Sequence, residues 1–113
     1  MKVLYIEDNH IQARTGIRAA RNIGGELIIA ETGAAAFESL KIHQFDVILC
    51  DLQLPDIDGI VLLRRLRAKL PTIPIIVLTG VTLPRHEETC LDAGGTEYLL
   101  KPITAEEVEL DLS

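Results

Sequence analysis

The feature that most constrains the fold of this chain is a regular alternation of short apolar runs with amphipathic stretches. The apolar runs are rich in Val, Ile and Leu without polar alternation, which is typical of strands buried on both faces of a parallel sheet. The amphipathic stretches place their apolar residues at helical spacing. We predict strands at 3–6, 27–30, 47–50, 75–78 and 98–100, and helices at 10–22, 33–42, 59–69 and 84–93.

Residues that start and stop helices support this assignment. Glycine pairs at 24–25 and 94–95 lie where helices should end. Thr104 and Glu107 form a capping-box pattern that predicts a fifth, short helix. Helix starts are predicted at three N-cap residues and at one proline in a first turn: Asn9, Thr32, Asp58 and Pro84. Five successive strand–helix units predict an α/β fold, with a doubly wound five-stranded parallel sheet and helices on both faces.

Length and charge limit the kinds of function. The 113 residues correspond to one domain, 1–113. Seventeen acidic against eleven basic residues give a net charge of −6, which argues against a nucleic-acid or anionic-membrane surface. No apolar run exceeds four residues, so we expect no membrane span. Cys50 and Cys90 lack CxxC spacing, and we interpret them as reduced, buried thiols of a cytoplasmic protein.

Chemically active side chains are concentrated at the ends of the predicted strands: Glu7, Asp8, Asp51, Thr79 and Lys101. Ligand sites of open α/β sheets lie beyond the carboxyl ends of the strands. Each acid alone has an ordinary explanation at a helix N-terminus or in a loop. Together they would repel, by about 4 kcal/mol for a pair about 4 Å apart near a protein surface, and would require a cation. All candidate ligand atoms are oxygens, which favours Mg²⁺.

A metal ion that has only some of its ligands from the protein, together with one ammonium and one hydroxyl group, can bind a phosphoryl group. A carboxylate in such a site can act as a nucleophile and form an acyl phosphate. The pattern therefore indicates phosphoryl chemistry, although it does not fix the function.

Four segments, in order and at matching spacing, resemble the receiver domains of two-component response regulators. Residues 3–9 resemble the opening strand with its acid pair, and residues 51–59 resemble the phosphorylation-site pattern D-x-x-x-P-x-x-D-G. Residues 75–80 resemble the strand that ends in Thr and a small residue, and residues 93–102 resemble the pattern A-G-A-x-x-Y-L-x-K-P. The resemblance covers essentially the whole chain and implies a flavodoxin-like sheet with the strand order 2-1-3-4-5, which is the order in chemotaxis receivers.

The resemblance also implies roles for the acids. Asp51 would be the phosphoacceptor and one of the ligands of Mg²⁺. Asp8 would bind the metal directly, Glu7 would act on it through water, and the backbone carbonyl of Gln53 would be the third protein ligand.

Four further residues receive roles in the same way. Thr79 and Lys101 would hold phosphoryl oxygens, and the peptide bond before Pro102 is expected to be cis. Thr79 and Tyr98 would form the switch that changes the face made by the fourth helix, the fifth strand and the fifth helix.

The implied function is that of a phosphoacceptor domain whose partners are a histidine kinase or phosphotransfer protein and an output domain or downstream protein. Such a domain catalyses only its own phosphorylation and dephosphorylation. Two alternatives remain open. A Mg²⁺-dependent phosphohydrolase with an aspartyl-phosphate intermediate would need a substrate pocket, but the loops are short and Gln53 replaces the usual second acid. An interaction module that works without phosphorylation would lack one or more of the acids at the strand ends, whereas here Glu7, Asp8 and Asp51 are all present.

The end of the chain departs from the family pattern, since only eleven residues follow Pro102. We expect a last helix of about two turns that frays before Ser113, because short helices depend on packing. It would leave apolar surface of the fourth helix and fifth strand uncovered, to be buried in a homodimer or by a downstream segment of a longer protein. We expect the three histidines to be solvated: His10, His43 and His86.

Overall fold

The computed structural model describes residues 1–112. Within them five strands alternate with five helices, in the order β1 (Lys2–Ile6), α1 (His10–Asn22), β2 (Glu26–Ala30), α2 (Gly33–Ile42), β3 (Val47–Asp51), α3 (Gly59–Lys69), β4 (Ile75–Thr79), α4 (His86–Asp92), β5 (Glu97–Leu100) and α5 (Ala105–Leu112). All strand pairs are parallel, and the strand order is β2-β1-β3-β4-β5. The predicted fold class and strand order are confirmed.

The sheet separates two hydrophobic cores. On one face α1 and α5 pack against residues such as Val3, Leu49 and Leu78. On the other face α2, α3 and α4 pack against residues such as Leu4 and Ile48. Because β1, β3 and β4 are buried on both faces, their sequences are continuous apolar runs rather than alternating ones. Within residues 1–112, no helix has both the length and the apolar character that crossing a membrane requires.

The predicted helix caps are present. Oδ1 of Asn9 accepts hydrogen bonds from the amides of Ile11 and Gln12, at 2.9 and 3.0 Å. Thr32 and Asp58 cap α2 and α3 in the same manner. The capping box also forms, since the amide of Glu107 donates to Oγ1 of Thr104 while its carboxylate accepts from the amide of Thr104. These local bonds fix the start of each helix next to the edge where the strands end.

The prediction that α4 begins at Pro84 is wrong, because the helix begins at His86. The amide of His86 donates to the carbonyl of Leu83 at 3.1 Å, which closes a turn before the helix. Arg85 has φ 64° and ψ 8°, the left-handed conformation of the third residue in a type II turn. Pro84 therefore occupies the second position of this turn, where its fixed φ is favourable, instead of the first turn of the helix.

The helix α5 has the predicted length of about two turns, with eight residues. Val108 and Leu112 are buried four residues apart, whereas Leu110 between them is 77% exposed. Leu91 of α4 and Leu100 of β5 are also partly exposed, as expected for this face. The expected fraying before Ser113 lies outside the described residues.

Candidate functional site

The parallel strands bring five predicted site residues to one edge of the sheet: Glu7, Asp8, Asp51, Thr79 and Lys101. Four of the strands, β1, β3, β4 and β5, are neighbours in the sheet, and their carboxyl ends point in the same direction. The chain leaves β1 toward β2 on one side, while β3 lies on the other side. Strand order therefore reverses beside β1, where a crevice forms in folds of this kind.

Three carboxylates form the centre of the site. One oxygen from each of Glu7, Asp8 and Asp51 lies within 4.8 Å of the other two. Glu7 is 1% exposed and Asp51 is 2% exposed, whereas Asp8 is open to solvent. The close spacing and the purely oxygen donor set fit a hard divalent cation such as Mg²⁺, with the open side at Asp8 left for water or a ligand.

The charged form of Glu7 is strongly disfavoured. Burial, followed by the hydrogen bond and the negative charge of Asp51, raises the pKa of Glu7 from 4.5 to about 7. Lys101 and the amide of Asn9 oppose this change. The three carboxylates therefore carry more negative charge than the Lys101 ammonium compensates, and a bound cation would stabilise them.

Lys101 is the ammonium of the site. Its Nζ donates to Oδ2 of Asp51 at 2.8 Å and to Oε1 of Glu7 at 3.2 Å. The backbone amide of Lys101 donates to the carbonyl of Thr79 at 2.8 Å, which ties the end of β5 to that of β4. The peptide bond between Lys101 and Pro102 is cis, as predicted.

The pair predicted to act as a switch, Thr79 and Tyr98, meets at one residue of the β4–α4 loop. The amide of Val81 donates to Oγ1 of Thr79 at 3.1 Å. The hydroxyl of Tyr98 donates to the carbonyl of Val81 at 3.0 Å. These two hydrogen bonds connect the Thr79 hydroxyl to Tyr98 through the backbone of one residue. The predicted switching itself stays a prediction.

The position of Gln53 supports its predicted place beside the acids. Its amide donates to Oδ1 of Asp51 at 2.9 Å, so both oxygens of this carboxylate have partners. Its proposed role as a metal ligand through the carbonyl stays a prediction.

The prediction that His43 and His86 are solvated is wrong. His43 is half-buried, and its Nδ1 lies 2.7 Å from Nζ of Lys2. His86 is also half-buried, with Nε2 3.5 Å from Oγ1 of Thr79 and its ring in edge contact with Tyr98. All three contacts join residues from different elements of the fold, and a single helix pattern does not reveal them. His10 is exposed, as expected, and pairs with Glu31 at 2.6 Å.

Two other residues near the site were not predicted from the sequence. Gln12 accepts a hydrogen bond from Nζ of Lys101. Tyr5 is fully buried, and its hydroxyl lies 3.5 Å from Oε1 of Glu7. The position of Gln12 in the first turn of the predicted helix, close after the acid pair, could have indicated that it lies near the acids.

Comparison with known families decides the classification. Residues 3–112 match the family described as the response regulator receiver domain. The chain belongs to this family. As a receiver domain it functions in two-component signalling, where receiver domains interact with histidine kinases and output domains.

Two curated relatives of this receiver domain are transcriptional regulatory proteins. It is 33% identical to the probable transcriptional regulatory protein TcrX of Mycobacterium tuberculosis, over 97% of this chain and 47% of the relative. It is 34% identical to the transcriptional regulatory protein BasR of Escherichia coli, over 96% of this chain and 49% of the relative. The chain thus spans about half the length of these relatives.

Solved structures show the same fold. The receiver domain of a sensor histidine kinase from Pseudomonas aeruginosa PAO1 is 33% identical, with a TM-score of 0.85 over 98% of this chain and 93% of that one. Its structure has a magnesium ion coordinated in the active site cleft. The chemotaxis protein CheY4 of Vibrio cholerae is 26% identical, with a TM-score of 0.89 over 98% of this chain and 94% of that one.

Proposed function

We propose that Asp51 accepts a phosphoryl group from a phosphohistidine in a Mg²⁺-dependent reaction. The observation that carries this proposal is the convergence of Glu7, Asp8 and Asp51 on one crevice with Nζ of Lys101 only 2.8 Å from Asp51. An oxygen of Asp51 forms the new bond to phosphorus as the P–N bond of the donor breaks, and its electron pair remains on the imidazole. Lys101 is placed to hold a phosphoryl oxygen, and the hydroxyl of Thr79 to hold another.

The residues that would hold Mg²⁺ are Glu7, Asp8, Asp51 and, through its carbonyl, Gln53. The bound cation supplies the positive charge that lets a phosphate dianion approach three carboxylates. Within the chain itself, the amide of Gln53 and Nζ of Lys101 orient the Asp51 carboxylate for attack.

The phosphoryl donor is a histidine kinase or a phosphotransfer protein, and the reader is an output domain or a downstream protein. Readout proceeds through Thr79, Val81 and Tyr98 to the face made by α4, β5 and α5, whose exposed leucines suit a homodimer or a docked segment. The chain catalyses only its own phosphorylation and dephosphorylation. The proposal places it in the cytoplasm, where the free, buried thiols of Cys50 and Cys90 stay reduced.

Incubation with acetyl phosphate and Mg²⁺, followed by Phos-tag electrophoresis and intact mass spectrometry, tests the proposal. We expect one added phosphoryl group on the wild-type protein, and none with EDTA or in Asp51→Asn. The matched control Asp92→Asn changes an exposed acid at the end of α4 and should be labelled normally. A phosphoryl group on folded Asp51→Asn, or labelling in EDTA equal to that in Mg²⁺, would contradict it.

A further inference from the structure

Gln12 lies outside the acid cluster but contacts its ammonium group. A lysine ammonium has three N–H donors. Among the described residues, those of Lys101 are directed to Asp51, Glu7 and Gln12. Gln12 is the neutral member of these three acceptors and the one that belongs to a helix rather than to a strand end.

The start of α1 holds Gln12 in this position. The Asn9 side chain caps the helix by accepting hydrogen bonds from the amides of Ile11 and Gln12. From this first turn, the Gln12 side chain borders an open groove of about 460 Å³ that is also lined by Tyr5, Lys101 and Pro102. The carboxamide can therefore reach Lys101 from the solvent side, while the two acids contact it from the buried side.

We propose that Gln12 is a positioning residue for phosphoryl transfer, which holds the ammonium of Lys101 in place over Asp51. This inference rests on the proposed function. The two acidic partners of Lys101 change during the reaction, because Asp51 becomes an acyl phosphate and both acids are candidate metal ligands. Gln12 takes no part in that chemistry, so its contact persists through the reaction. It restrains a four-carbon side chain that would otherwise sample several positions.

The first test observes the contact directly in the protein without metal. In ¹⁵N-lysine-labelled protein, we expect the Lys101 ammonium to give a resolved signal, assigned by its loss in Lys101→Met, because hydrogen bonding slows proton exchange. Gln12→Met, of similar length without the carboxamide oxygen, should broaden or remove this signal. Gln12→Glu restores an acceptor and should retain it. The control Gln44→Met makes the same change at an exposed position before β3 and should leave the signal unchanged.

The second test measures the consequence with beryllofluoride and Mg²⁺, which mimic the phosphoryl group on a carboxylate. We expect Gln12→Met to bind beryllofluoride about fivefold more weakly, the effect of losing one partly exposed hydrogen bond to a charged group. Its melting temperature should match that of Gln44→Met, which separates positioning from loss of stability. An unchanged Lys101 signal or an unchanged beryllofluoride affinity in Gln12→Met would overturn the inference. If the wild-type protein itself took up neither beryllofluoride nor a phosphoryl group, the proposed function would fail instead, while the ammonium signal still tests the contact.

Discussion

Replacing Glu7 by glutamine should stabilise the domain when no metal is bound. Glu7 is buried beside Asp51, and its pKa is raised to about 7 chiefly by burial. Glutamine resembles the protonated acid, because its amide can donate to Asp51 and its carbonyl can accept from Lys101. The substitution therefore removes the unfavourable charge and keeps the surrounding hydrogen bonds.

The size and direction of the effect follow from linkage between protonation and folding. An ordinary glutamate has a pKa of 4.5, so folding of the wild-type protein binds a proton between pH 4.5 and about 7. Its stability relative to Glu7→Gln should fall as the pH rises through this window. At about 1.4 kcal/mol per pH unit, the whole difference is about 3 kcal/mol above pH 7 and near zero below pH 4.5. For a domain of this size, it corresponds to a melting temperature higher by about 10 °C.

Urea unfolding in EDTA at pH 4.2, 5.5, 7 and 8 measures this difference directly. The matched control Glu26→Gln removes an exposed carboxylate that lies 4.0 Å from Lys2, and should change stability by less than about 0.5 kcal/mol at every pH. The reasoning is refuted if Glu7→Gln is no more stable than the wild-type protein at pH 8, or if its advantage is the same at pH 4.2.

Three further substitutions test other parts of the structure. Gly16→Ala should cost about 2 kcal/mol in urea unfolding, because its Cβ would lie 2.1 Å from the Tyr5 ring, and Tyr5→Leu should restore part of the loss. Gly80→Ala should leave unfolding unchanged, since among the described residues no atom outside residues 79–81 lies within 4 Å of the added Cβ. It should nevertheless slow loss of the phosphoryl group by narrowing access beside Thr79, and an unchanged decay rate in Phos-tag assays would count against this. His86→Ala should cost about 1 kcal/mol and reduce the phosphorylation-dependent chemical-shift changes in α4, because the ring joins Thr79 to that helix; full-sized shifts would show that His86 is not part of the relay.

The sequence predicts the features of this domain that depend on neighbouring residues. Central strands, N-caps and the capping box involve positions at most four residues apart, and all of them are found. The acid cluster is predictable for a different reason. Parallel strands end at one edge, so residues at strand ends meet even when they are far apart in sequence. The strand bounds are correct to within a residue; Asp51 and Thr79 end their strands instead of following them.

Contacts between loops and helices are not predictable in the same way. The carboxylate of Asp56, in the β3–α3 loop, accepts hydrogen bonds from the amides of Gly33 and Ala34, at 2.9 and 3.0 Å. These bonds lower the pKa of Asp56. They join residues more than twenty positions apart, and their existence depends on the distance between α2 and the β3–α3 loop. The contacts of Gln12 and His86 are of the same kind, since each depends on how a helix docks on the sheet.

The electrostatics of the site connect its stability with its chemistry. Lys101 already pairs with both buried acids, and yet the pKa of Glu7 remains well above its ordinary value. The single ammonium of Lys101 therefore does not balance the negative charge of the three converging carboxylates in the folded protein. A ligand that binds the folded state and not the unfolded state stabilises the fold by an amount that grows with the logarithm of its concentration once this exceeds the dissociation constant. A divalent cation at these acids would therefore stabilise the domain and prepare Asp51 for phosphoryl transfer through the same contacts.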